Sequence, residues 1–116
     1  MSDQKSIIKV KSFLFAIGVV QIYKSLVENK KEFILSKQLL RSGTAIGALV
    51  REAQNAESKA DFIHKMKIAA KEIEETKYWL ILCEKANSYP FNENLKQKIK
   101  EISLIIYKII ASSKTK

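Results

Sequence analysis

What this chain has little of sets the first limits. It holds one cysteine, so no disulfide framework can staple it, and one histidine, which leaves histidine-based metal sites short of ligands. One proline and three glycines are too few for an all-β sandwich, which turns every dozen residues or so. Arginine is scarce as well: of 21 basic residues only Arg41 and Arg51 carry a guanidinium. Lysine without arginine serves phosphate contact better than base readout.

What is present is a globular composition. At 47% hydrophobic and 28% charged, the 116 residues can bury one core, and residues 1–116 read as a single domain. The net charge of +9 favours anionic partners: RNA, DNA or an acidic membrane surface. The excess is spread evenly, with 9 basic and 5 acidic residues in the first half and 12 and 7 in the second. Lysine and isoleucine both have A/T-rich codons, so the same bias also fits a merely solvated surface.

Near the N-terminus Lys5, Lys9 and Lys11 precede an uncharged run from Ser12 to Tyr23. The run falls short of the roughly 20 apolar residues of a membrane span, and no small-residue cleavage site follows it. It reads as the start of a helix buried on most sides. The sequence therefore points to a cytoplasmic protein without a membrane partner.

The hydrophobic period is helical throughout. One helix runs from about Lys5 to Glu28, with Ile7, Leu14, Ile17, Ile22 and Leu26 among its apolar positions. A second starts near Ser36 as N-cap and continues to about Asn55. A third opens at Ser58, with Asp61 three residues on in capping-box spacing. Its stripe of Phe62, Met66, Ala69, Ile73, Thr76, Leu80 and Cys83 steps by four and three, which suits shallow crossing angles. Asn87-Ser88-Tyr89-Pro90 is the strongest breaker. The fourth helix runs from about Asn92 to Ser112, with Leu95, Ile99, Ile102, Ile106 and Ile109 on one face. Short connections make this an all-α, antiparallel up-down-up-down four-helix bundle. Phe13-Leu14-Phe15 and Leu104-Ile105-Ile106-Tyr107 supply more apolar surface than one stripe can bury, which implies self-association.

Few residues invite chemistry. Gly43 and Gly47 share a face of the second helix and cost about 1 kcal/mol each relative to alanine, which argues for close helix packing. They belong to no phosphate-binding loop, and no nucleophile elbow is present. Arg41, Ala45, Leu49 and Glu52 fall on one arc of that helix, and Ile68, Glu72, Glu75 and Trp79 on one arc of the third. Partly buried carboxylates there need a partner, and Arg41 is the natural one; Lys71 could add a pair with Glu75. His64 lacks a second histidine for a di-iron set, and Cys83 reads as a small core residue. No catalytic residue, metal ligand or cofactor site can be assembled. Lys67, Lys71, Lys96, Lys98 and Lys100 are the candidate phosphate contacts, for binding that is non-specific and salt-dependent.

Residues 38–54, Gln38-Leu-Leu-Arg41-Ser-Gly-Thr-Ala-Ile-Gly47-Ala-Leu-Val-Arg-Glu52-Ala-Gln, resemble the four helix bundle proteins, also labelled 23S rRNA intervening-sequence proteins. The resemblance continues through Ser58-Lys-Ala-Asp61-Phe62-Ile-His-Lys65 and through Ile68 to Leu80, including Glu72-Ile-Glu-Glu75-Thr76-Lys-Tyr78-Trp79. It implies a small bacterial bundle, often a ring-like homopentamer, related to the accessory variability determinant of diversity-generating retroelements, a basic barrel that works with nucleic acid. Where that family shows Ser and Asn in its S-I-G-A-N stretch, this chain has Ala45 and Leu49, so half of the polar arc has become apolar. The leading functional expectation is a non-enzymatic, nucleic-acid-associated accessory protein. The alternative is a structural or protein-interaction module, and a weaker third is a small-molecule binder along the polar arc.

Overall fold

The computed structural model describes residues 2–114. Among these, four helices follow one another: α1 (Ser2–Lys30), α2 (Leu35–Gln54), α3 (Lys59–Lys85) and α4 (Glu93–Lys114). Each packs on its sequence neighbours, and α4 closes back onto α1; the diagonal pairs α1–α3 and α2–α4 make no backbone approach. The register is antiparallel at every interface. Val19 faces Gly43 while Ser12 faces Gly47, and Glu52 meets Lys65 while Arg41 meets Glu75. Likewise Lys77 meets Ser103 and Glu84 meets Lys96. The result is the up-down-up-down bundle read from the sequence, 48 × 22 × 19 Å in extent.

The core takes one residue from each turn of each helix. Ile8, Phe15, Val19, Ile22 and Leu26 come from α1, and Leu39, Ile46, Val50 and Ala53 from α2. Met66, Ala69, Ile73, Thr76, Leu80 and Cys83 of α3 are all buried, with Phe62 packed half-exposed at the end of that stripe. Leu95, Ile99, Ile102, Ile106 and Ile109 line α4. Full burial of each large side chain stabilises by roughly 1.5–3 kcal/mol.

Two expectations are corrected. Helix α1 is not buried on most sides: Ile7, Val10, Phe13, Leu14, Ile17 and Val20 face outward, opposite its core stripe. From Gln4 to Lys30 it is long and apolar enough, by length and composition, to cross a membrane, although its inner face lies in the bundle core. The second correction concerns Ser36, which does not cap α2. The helix starts one residue earlier, with Ile34 at the cap position and no side-chain bond from it. Glu32 reaches forward instead, accepting from the amides of Ile34 (3.1 Å), Leu35 (2.9 Å) and Ser36 (2.7 Å), while the Ser36 hydroxyl donates to the Glu32 carbonyl (2.7 Å). A carboxylate facing several free amides at a positive helix end outcompetes a hydroxyl for that role.

The α3 cap forms as expected, with Ser58 Oγ accepting from the Asp61 amide at 3.0 Å. The reciprocal bond reaches one residue further back, from the Glu57 amide to Asp61 Oδ2 at 3.2 Å. Helix α3 ends at Lys85, and the breaker segment turns through Ser88 at φ 69°.

Candidate functional site

A branched polar network ties two helices together on the α2–α3 face. Arg41 sits one helical turn beyond Gln38, and Glu72 and Glu75 sit one turn apart on α3, so all point into the same groove. The guanidinium donates to Glu72 Oε1 at 3.3 Å and to Glu75 Oε2, and its Nε donates to Gln38 Oε1 at 3.4 Å. The Trp79 indole N–H donates to the same Glu75 oxygen at 3.1 Å. Arg41, first by its hydrogen bond, and then Trp79 hold the Glu75 carboxyl below the ordinary carboxylate range. A general acid needs the opposite shift, so Glu75 is a fixed anion at neutral pH. Lys71 makes no pair with Glu75.

Further along the groove Glu52 accepts from Lys65 Nζ at 3.1 Å, so Glu52 belongs to a second, separate pair. Between the two pairs the groove is apolar, with Ala45, Leu49 and Ile68 half-buried and Leu49 packed against the core. A cleft of about 600 Å³ lies at the far end of the bundle, lined by residues including Lys5, Gln54, Phe62 and Ile109, and Arg41 is not among them.

The candidate phosphate-contacting lysines do not converge. Lys67 and Lys71 lie exposed, one turn apart, on α3. The antiparallel register places them toward the C-terminal end of α4, while Lys96, Lys98 and Lys100 lie near its start. Lys96 is held by both oxygens of Glu84 at 3.2 and 3.3 Å and lies over the Phe91 ring. Lys98 lines a crevice against α1 with Lys11, Leu14 and Glu101, and Lys100 is exposed. His64 is exposed, and no cluster of three metal-ligating side chains occurs among the described residues. Cys83 is buried, and burial, with Glu32 adding to it, pushes its thiol up to about 11, so it is not a nucleophile at neutral pH.

The outward face of α1 has no partner within the bundle. Ile7, Val10, Phe13, Leu14, Ile17 and Val20 form an apolar band spanning about 20 Å of helix. Cations rim it on both sides. The Arg51 guanidinium of α2 lies 5.8 Å from the Phe13 ring centre, and Lys98 flanks Leu14 together with Lys11, which is paired with Glu101 at 3.1 Å.

Residues 4–108 match the model of the 23S rRNA-intervening sequence protein family, and that span holds the whole α2–α3 network. The chain belongs to that family. It is similar over 93% of its length, at 45% identity and a TM-score of 0.88, to the crystal structure of a protein with unknown function from the S23 ribosomal protein family of Bacteroides thetaiotaomicron, of which the match covers 98%. No curated protein matches it.

Within this family member the glycines divide the work of close packing. A Cβ at Gly43 would meet both Val19 methyls at 2.8 and 2.9 Å, whereas one at Gly47 would find only ordinary contact with Ser12 at 3.4 Å. Gly18, which carries no sequence signal, brings α1 against Leu95 of α4, whose Cδ2 methyl at the far end of a flexible side chain would lie 2.6 Å from an added Cβ. Sequence reasoning also missed a buried polar link, because Thr76 looked like one more stripe residue. Its hydroxyl lies 2.8 Å from that of Ser42, hydrogen-bonded across α2 and α3, and 2.7 Å from the Glu72 carbonyl. A hydroxyl at a core position of α3 opposite a serine in α2 was the available signal.

Proposed function

We propose that this protein is a non-enzymatic assembly module that acts as a homo-oligomer in the cytoplasm. The observation that carries the reading is the second apolar face of α1, which one copy of the bundle leaves uncovered. A partner copy offering the same face would set Arg51 and Lys98 against their own equivalents. The α2–α3 face suits it better, because there Arg41 and Lys65 are already paired with Glu72, Glu75 and Glu52, and Tyr78 lies exposed beside Trp79. Contact between two different faces is head-to-tail, and head-to-tail contacts that close make rings. A pentamer is the ring that the family resemblance favours.

Light scattering tests this directly. The wild-type protein should run at a multiple of 13.3 kDa, and Ile17→Lys should run at 13.3 kDa with unchanged helicity. Ile17 is outward-facing, so its replacement spares the core.

A second reading rests on the +9 charge: an accessory protein contacting RNA or DNA phosphates through lysines that assembly repeats around the ring. The scatter of Lys67, Lys71, Lys98 and Lys100 over different faces makes this the weaker of the two. Binding to a generic structured RNA that falls steeply along log salt supports it, and no binding at low salt removes it.

A further inference from the structure

The α1–α2 connection exposes its two bulkiest residues. Ile34 is 80% and Phe33 58% accessible, at the end of the bundle remote from the outward band of α1. Local stability does not explain either residue. Isoleucine ranks among the poorest helix caps, where serine, threonine, aspartate and asparagine lead. Here the capping is done by Glu32, whose carboxylate reaches forward to the Ile34, Leu35 and Ser36 amides. Burial alone would raise that carboxyl, but those amides outweigh it and hold it below the ordinary range, so its charge is committed to the helix start. The Glu32 amide in turn donates to the Leu26 carbonyl at 3.0 Å, and Lys31 takes a left-handed turn at φ 55°. Phe33 and Ile34 thus stand on a braced tip.

Around the tip Lys30, Lys31 and Lys37 are exposed, and among the described residues none of the three is held in an ion pair. Glu28 is the one exposed acidic side chain in this stretch. We infer that the Phe33–Ile34 tip is a contact for an anionic lipid surface, with the two apolar side chains entering the acyl boundary and Lys30, Lys31 and Lys37 meeting lipid phosphates. Peripheral binding of this kind adds apolar burial to electrostatic attraction and needs no spanning segment, so it revises the expectation of no membrane partner. A single-stranded nucleic acid fits the tip less well. Base stacking uses an aromatic face, and here the aliphatic side chain is the more exposed of the pair.

Vesicle co-flotation of the full-length chain tests the inference, with phosphatidylcholine alone or mixed with phosphatidylserine. Wild type should float with the mixed vesicles and far less with the neutral ones. Phe33→Ser with Ile34→Ser should weaken binding about tenfold, in line with the loss of buried apolar area. Serine is the better residue at the cap position, so this variant keeps its fold and isolates the contact. Each of Lys30→Gln, Lys31→Gln and Lys37→Gln should cost up to about fivefold on the mixed vesicles. Absence of wild-type flotation overturns the inference, as does undiminished flotation of the double serine variant. Light scattering on the same variants reads assembly separately, since the tip lies off the outward band of α1.

Discussion

A Cβ placed on Gly43 would lie 2.8 Å from Cγ2 of Val19, inside the distance at which carbon atoms pack. Both Val19 methyls crowd the position, and a β-branched side chain in a helix has essentially one rotamer, so it cannot swing clear. Gly43→Ala should therefore destabilise the bundle by about 1–2 kcal/mol, overpacking outweighing the gain in helix propensity. Gly47→Ala should do the reverse and stabilise by up to about 1 kcal/mol. Urea unfolding of the two variants checks the pair, and equal effects would mean that α1 and α2 do not meet as described.

The Ser42–Thr76 link calls for a double-mutant cycle. Thr76→Val leaves the buried Ser42 hydroxyl without its partner and should cost about 1–3 kcal/mol. Adding Ser42→Ala removes the orphaned group as well, so the double variant should be more stable than additivity of the two single losses allows. Strict additivity would show that the two hydroxyls do not interact.

Glu32 and Glu75 give the stability a defined pH dependence. Both carboxyls sit below the ordinary value of about 4.3, so each binds a proton less readily folded than unfolded. Their contribution is complete above that ordinary value and is lost as pH falls through the lower folded values. The thermal midpoint should drop on acidification below about pH 4.3, and Glu32→Gln should flatten part of that drop. At neutral pH the same substitution should cost about 1–2 kcal/mol, the scale of a lost helix cap. A midpoint equally steep in wild type and Glu32→Gln would assign the acid sensitivity elsewhere.

The Arg41 network is largely exposed, so its coupling energy should be small despite its connectivity. A cycle of Arg41→Ala against Glu75→Gln should give about 1 kcal/mol or less. Its optical effect should be clearer, since Trp79 is the sole tryptophan and donates to Glu75. Glu75→Gln should shift Trp79 emission, and an unchanged spectrum would contradict the bond.

The architecture was legible because one unbroken apolar period in each of α3 and α4 coincides with the buried stripe, although Leu104 and Tyr107 of α4 lie exposed beside it. In α1 the period was blurred, since Ile7, Leu14 and Ile17 are as apolar as Ile8, Phe15 and Val19 yet face the other way. Composition alone cannot tell which stripe meets the core when both are apolar. Arg41 could be paired with Glu72 and Glu75 because each sits on an identifiable arc. Glu32 was not recognised as a cap because it lies two residues before the cap position, beyond the serine-first pattern. The lysines of α4 are close in sequence, but residues two apart on a helix point to different sides, so Lys98 parts from Lys96 and Lys100, which lie one turn apart.

The central claim is that the outward band of α1 is covered by another copy of the chain. The most direct measurement is the mass of the wild-type protein by light scattering at micromolar concentration, beside Ile17→Lys. A multiple of 13.3 kDa for wild type and 13.3 kDa for the variant is the expected result. A wild-type mass of 13.3 kDa at the same concentration would contradict the account.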